Sequence, residues 1–395
     1  MQETQPFLVY RDRVGVASEI SFLRRQYVGF TRLQPVWIGR VLLPAAPAVD
    51  PWMLRLGGEG PLGGTRRLLF RHFGWVPQVH LPDGPALSGN RPEAPALDGN
   101  ASARTARGGK TMPSLAPVLH AQFARSGALA LPLARALGLR VVVTLHGGDI
   151  SKQKNWRGTL LARRWPALLR EAACFVCVSN AVAEVAAARG VPAAKLAVLP
   201  IGVEVAEQPP ETPPLTAHLF VGRFVEKKGV AALADAMRHL RSAGDQTPLV
   251  CIGDGPLRPL LEALAREVPG VSLTGWLDPA AIRPRMAAAY SLVVPSVVAS
   301  DGDAEGLPSV VPEAMAQACP VIGSDQGGIA EAVRHDLTGL LVPPGDARAL
   351  AAAMHRITRE PGLRLALGSA GFKAAASTLN ARIQSRKLET LLLST

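Results

Sequence analysis

From residue 217 onward the chain alternates short apolar runs with stretches of helical spacing. That alternation limits the possible folds more than any other feature. Ala217-His-Leu-Phe-Val221, Pro248-Leu-Val-Cys-Ile252, Val271-Ser-Leu-Thr274 and Leu292-Val-Val-Pro295 read as strands. Gly229 to Arg241, Leu257 to Arg266 and Ile282 to Tyr290 read as helices between them. Repeated βαβ units close in one hand and put helices on both faces of a parallel sheet. Ligands of such sheets gather at the carboxyl ends of the strands.

The first half carries the same signals more sparsely. Phe7-Leu-Val-Tyr10, Leu115 to His120, Arg140-Val-Val-Val-Thr-Leu145 and Ala173 to Val178 read as strands, and Ser179-Asn180 as the cap of a helix over Ala181 to Arg189. Residues 82–110 are rich in Pro, Gly and Ala without periodicity, which predicts a long mobile loop. Glu207-Gln-Pro-Pro-Glu-Thr-Pro-Pro214 holds four prolines in eight residues and reads as a stiff linker. The expected organisation is an N-terminal Rossmann-like domain (1–206), a linker (207–215) and a C-terminal Rossmann-like domain (216–375). A last helix (376–395), part of a long helical run from about Ala366 to Leu393, is expected to cross back to the first domain.

Charge divides at the same linker. Residues 1–205 hold 25 Lys+Arg against 12 Asp+Glu, and residues 206–395 hold 18 against 19. A positive half-molecule attracts anionic surfaces, or is simply a solvated Arg-rich face. The stretch from Arg55 to Trp75 mixes apolar and basic residues and fits either an interfacial amphipathic helix or an ordinary surface helix. No aromatic-interleaved reader motif accompanies the charge, so nucleic acid is not the expected partner. Cys174 and Cys177 fall on one strand at i and i+3, facing opposite sides, which argues against a metal or redox pair. Free cysteines, no signal-peptide pattern and no uninterrupted span of bilayer length lead to the expectation of a cytosolic protein.

Candidate chemistry lies in the second half. Ser300 to Gly328 places Glu305 in a Gly-containing loop and Glu313 about one turn inside a following helix, with Ser309 as the proposed cap. By themselves the two carboxylates read equally as dipole or capping residues. Gly222-Arg-Phe-Val-Glu-Lys-Lys-Gly229 joins a strand to a helix. Gly222 permits close backbone approach, and Arg223 and Lys228 offer cations to a diphosphate. Gly253-Asp-Gly-Pro256 and Gly275-Trp276-Leu277 are further strand-end turns, each explicable as turn chemistry alone. Together they outline a seat for a nucleotide-diphosphate sugar. Neither a dinucleotide fingerprint nor a Walker A loop is present.

The runs VGRFVEKKG, IGDGPLRPLLEALA, LTGWL, VPS, DAEGLPSVVPEAMAQACPVIGSDQGGIAEAV and TGLLVPPGD resemble the retaining GT-B glycosyltransferases of family 4. LHAQFARSG and VVVTLHGGDIS extend the resemblance to the exopolysaccharide branch. The resemblance implies an α/β GT-B fold, with two doubly wound Rossmann-like domains facing across a cleft. It implies that Arg223 and Lys228 hold the donor diphosphate and Glu313 its ribose. Glu305, with the Gly306, Leu307 and Pro308 backbone, would hold the sugar. Gly222, Gly253 and Trp276 would complete the donor side, and His146, with Asp149 nearby, would lie beside the anomeric carbon. It implies transfer of a hexose, with retention, to a glycan or lipid-linked acceptor. No metal or other cofactor is expected, because Asp301-Gly-Asp303 sits in a loop and reads as incidental. The single Gly15 departs from the Gly-Gly loop of many members, and Glu19 resembles a Ser-Glu variant of the same branch. A sugar-nucleotide epimerase and a non-catalytic binding protein remain the alternative readings.

Overall fold

The computed structural model describes residues 4–14, 19–43, 53–55, 115–211 and 213–395. Gly15, the amphipathic stretch before Trp75 and the expected loop at 82–110 lie outside them. The N-terminal strands are β1 (Gln5–Tyr10), β2 (Arg13–Val14), β3 (Leu33–Gly39), β4 (Val41–Leu42), β5 (Met53–Arg55), β6 (Val118–Gln122), β7 (Arg140–Leu145), β8 (Ala172–Cys177) and β9 (Leu196–Val198). Seven of them form one sheet in the order β5-β3-β1-β6-β7-β8-β9, parallel throughout. Helices α1 (Ile20–Arg25), α2 (Ala124–Leu137), α3 (Gly148–Ser151), α4 (Leu160–Glu171) and α5 (Asn180–Ala188) connect them. Gly138 ends α2 at φ 65°, where a left-handed residue lets its N–H reach the carbonyls of Ala134 and Arg135.

The second domain pairs β10 (Ala217–Val221), β11 (Leu249–Ile252), β12 (Val271–Gly275), β13 (Ala289–Val294), β14 (Val321–Ser324) and β15 (Gly339–Val342) in the order β12-β11-β10-β13-β14-β15. Helices α6 (Val230–Ser242), α7 (Arg258–Glu267), α8 (Pro279–Ala287), α9 (Val310–Met315), α10 (Gly327–Ala332) and α11 (Ala347–Arg359) accompany them. Chain order reverses between β10 and β13, and in the first domain between β1 and β6. Those are the switch points where the connections leave in opposite directions and open a crevice. The helix expected over Ile282 to Tyr290 is displaced. Asp278-Pro279 starts α8 early, and Ala289 already pairs with Ala217 of β10. Cys174 and Cys177 of β8 belong to apolar clusters on opposite faces of their sheet. Burial raises both thiols, to about 11 and about 12.

The long terminal helix expected from Ala366 is two helices, α12 (Pro361–Thr378) and α13 (Ala381–Ser394). The break has a structural cause. Val203, on the outgoing crossing between the domains, donates to the carbonyl of Leu379 at 2.7 Å and accepts from the N–H of Ala381 at 2.8 Å. These groups are therefore unavailable to one continuous helix, and the Asn380 side chain caps the new start through the N–H of Arg382. α13 then buries Leu388 and Leu392 against Phe7 and Trp37 of the first domain. Its Glu389 carboxylate accepts from the N–H groups of Thr31, Arg32 and Leu33 at 2.7–3.1 Å. Replacing Glu389 by Ala strips these donors of their acceptor and should cost about 3 kcal/mol. Denaturant melts of the full chain would read it, and an unchanged midpoint would remove Glu389 from this role.

Candidate active site

Three strand ends of the second domain are tied in a row. The Gly222 N–H donates to the carbonyl of Ile252 at 2.9 Å, and that of Gly253 to Gly275 at 2.8 Å. A Cβ on Gly253 would lie 2.0 Å from the Gly222 carbonyl oxygen, so the two backbones meet only because no side chain intervenes. Fully buried Phe224 pins the loop after β10, and the preceding Arg223 is left exposed. A tight turn over Glu226–Lys228 then brings Lys228 back across Gly222. Its Nζ lies 3.1 Å from Glu305 Oε1, and the Lys227 Nζ lies 3.4 Å from the same oxygen. Glu305 sits in the loop after β13, so residues from both sides of the switch point meet here. Burial raises its carboxyl pKa, but Lys228 and Lys227 outweigh burial and hold it below the ordinary range. Oε1 is enclosed and makes ion contacts without hydrogen-bond geometry to either lysine.

The first domain supplies the facing wall. After β7 the chain turns at Gly147, φ 112°, and a Cβ there would stand 2.5 Å from the Gly306 nitrogen. A Cβ on Gly306 would in turn stand 2.6 Å from the carbonyl oxygen of His146. The two loops thus pack backbone to backbone across the domain boundary. The His146 ring packs on Phe123 at a tilt of 36°, with centroids 4.2 Å apart, and its Nε2 lies 2.9 Å from Gln122 Oε1. Burial lowers its pKa to about 3, assisted by the charge of Arg11, so the imidazole is neutral. Asp149, expected near His146, accepts through its two oxygens from the N–H groups of His146 (2.9 Å) and Ala124 (2.8 Å). Burial pushes its carboxyl up to about 6 against these two bonds. Asp149 therefore holds the His146 loop onto the start of α2.

Two expectations need correction. Glu313 is on the expected helix, but Ser309 makes no side-chain cap, and Glu313 Oε1 is held by Arg25 Nη2 of α1 at 2.5 Å. Asp303, read from the sequence as incidental, is a buried hub. It contacts Lys152 of the first domain at 2.5 Å and Lys227 at 3.2 Å. Sequence reasoning missed Arg25, Lys152, Lys227 and Gln122, and only Lys227, beside Lys228, carried a local signal. Leu307 and Pro308 lead into α9, with Leu307 packed on the core beneath and the Pro308 carbonyl accepting from Val311. Trp276 follows β12 and is 58% exposed. Glu19 is paired with Arg11 at 2.6 Å, and Arg11 also lies over Phe123.

Two doubly wound domains, with the loops of one sheet's switch point pressed against a strand-end loop of the other, define the GT-B class of α/β protein. The whole chain superposes on Anabaena HepE in complex with UDP, with a TM-score of 0.71, 16% identity and 100% coverage of both chains. Sucrose-phosphate synthase from Thermosynechococcus elongatus gives 0.68 at 20% identity and 98% coverage of both. Residues 216–360 match the model described as "Glycosyl transferases group 1", and residues 69–207 that of "Glycosyltransferase Family 4". The amylovoran biosynthesis glycosyltransferase AmsK of Erwinia amylovora is 31% identical over 62% of each chain. A GDP-mannose-dependent phosphatidylinositol monomannoside mannosyltransferase of Mycobacterium tuberculosis is 31% identical over 62% of this chain and 67% of its own. The chain belongs to this family of GT-B proteins, built from a family 4 domain and a group 1 domain. It spans about three-fifths of the length of the curated relatives it matches first.

The ion cluster predicts a pH-dependent mutant. Glu305 has a lowered pKa, so its pairing stabilises the fold above the ordinary carboxylate range and is lost as pH falls through the lowered value. Lys228→Met should therefore cost about 2 kcal/mol near neutral pH. The gap to the parent should close as pH falls through that lowered value. A gap that stayed constant across the acid limb of paired melts would take Glu305 out of the explanation.

Proposed function

We propose that the chain transfers a hexose from a nucleotide-diphosphate sugar to a glycan or lipid-linked acceptor, with retention at the anomeric carbon. One observation carries the reading. Lys228 and Glu305 come from opposite sides of the C-terminal switch point, stand 3.1 Å apart, and face the loop that bears His146. Lys228 and exposed Arg223 bind the diphosphate and stabilise the negative charge that gathers on it as the bond to the anomeric carbon breaks. These fixed cations serve in place of a metal. Glu305, Gly306, Leu307 and Pro308 hold the donor sugar. Gly222 and Gly253 let the backbone approach the nucleotide, and Trp276 lies at its base end. Glu313 offers the ribose the oxygen that Arg25 leaves open. His146 faces the transferred sugar, with its loop steadied by Asp149.

Exopolysaccharide synthesis is the reading that the names of similar proteins support, AmsK for amylovoran and Escherichia coli WcaL for colanic acid. HepE structures with UDP and with UDP-glucose make a uridine donor the first to try, ahead of GDP- and ADP-sugars. His146→Ala should lower turnover about 100-fold or more while donor affinity stays within a few-fold, since its contact is made at the reacting end. The parent should keep its turnover in EDTA and give a product of unchanged anomeric configuration by NMR. Normal turnover in the variant, or inversion in the product, would overturn the assignment.

The basic first half supports peripheral attachment to the cytoplasmic face of an anionic membrane, where a lipid-linked acceptor would reside. No described helix is long and apolar enough to cross one. Co-sedimentation should rise with the anionic lipid content of vesicles and fall with salt. Binding indifferent to both would end that proposal.

A further inference from the structure

Beneath the His146 ring runs a chain of buried polar side chains that donor binding leaves unused. It joins Gln26 and Tyr27, just past α1, to His120 and Gln122 of β6 and Thr144 of β7, all buried. Gln122 Nε2 donates to Tyr27 Oη at 2.7 Å and to Gln26 Oε1 at 3.0 Å. The Tyr27 hydroxyl proton is then free for His120 Nδ1 at 2.9 Å, and His120 Nε2 meets Thr144 Oγ1 at 2.7 Å. With its amide protons engaged, Gln122 turns Oε1 toward His146 Nε2 at 2.9 Å, and the same oxygen receives Gln26 Nε2 at 3.3 Å. An amide oxygen only accepts, so Nε2 of His146 must carry the proton. The lone pair is then on Nδ1, which bonds to no protein group among the described residues.

We propose that Gln122 is a positioning residue that locks His146 as the Nε2–H tautomer, leaving Nδ1 as a hydrogen-bond acceptor matched to a sugar hydroxyl. The assignment rests on the reading of His146 as facing the transferred sugar. It adds a chemical selection to it. A lone pair at Nδ1 attracts an O–H and repels phosphate or carboxylate oxygens, so the anionic end of the donor is left to the cations near Lys228. Packing alone does not call for this chain. Apolar side chains of similar volume would fill the space without five buried polar groups to satisfy. The orientation is transmitted through fixed amides and a phenol, none of which titrates near neutral pH. Burial lowers His120 to about 3 as well, so the chain carries no charge to disturb it.

The tautomer can be read on the unmodified full-length protein by two-bond proton–nitrogen correlation with 15N-labelled histidine, using His146→Gln to assign the signal. The expected pattern is protonated Nε2 and bare Nδ1, unchanged from pH 7 down to about pH 5. A proton on Nδ1, or an imidazolium at pH 7, would overturn the proposal. In Gln122→Met the pattern should become mixed. Its kcat should drop about tenfold, as for one oriented hydrogen bond lost at the transition state, with the donor KM within about twofold. A pure Nε2–H signal or an unchanged kcat in Gln122→Met would equally count against it. The spectrum needs no substrate, so absence of turnover with every donor would strike the transferase reading and leave the tautomer assignment standing.

Discussion

Gly147 against Gly306 is the contact on which the rest of the site depends. Neither position can carry a Cβ without pushing the other backbone away. The separation of the two walls is therefore fixed by van der Waals contact of main chain rather than by adjustable side chains. Gly306 is held from behind as well, because its carbonyl accepts from the Gly328 N–H at 2.8 Å at the start of α10. The loop bearing Glu305 is thus clamped between the first domain and its own sheet.

Around that contact carboxylates of one domain meet donors of the other. Asp303 takes Lys152, Glu313 takes Arg25, and Glu331 accepts from the N–H groups of Asn180 and Ala181 at the start of α5. Glu389 does the same for the turn before β3. Charge-assisted bonds of this kind are directional and exchange readily with water. They suit an interface that fixes a register without sealing it. An apolar seam of equal area would hold more tightly and select less.

The strand-end residues were legible in the sequence because each lies within a short contiguous signal. A buried run, then glycine, then a charged residue locates Gly222, Arg223, Lys228 and Gly253, and a buried run ending in His-Gly-Gly locates His146, without knowledge of any distant partner. The partners were not legible. Arg25 lies 288 positions from Glu313, and Lys227 lies 76 from Asp303. Asp149 was placed near His146 by sequence, but the backbone N–H groups that meet both its oxygens were not readable there. Asp301-Gly-Asp303 looked like loop filler because its counter-charges come from elsewhere in the chain.

Local sequence thus determined which residues sit at the carboxyl ends of which strands, since hydrophobic periodicity and glycine position act over a few residues. Tertiary structure alone decided which carboxylate is open to a ligand, which is occupied, and which ring nitrogen of His146 bears its proton. Those properties depend on burial and on hydrogen-bond partners brought together by the sheets, and no local pattern encodes either.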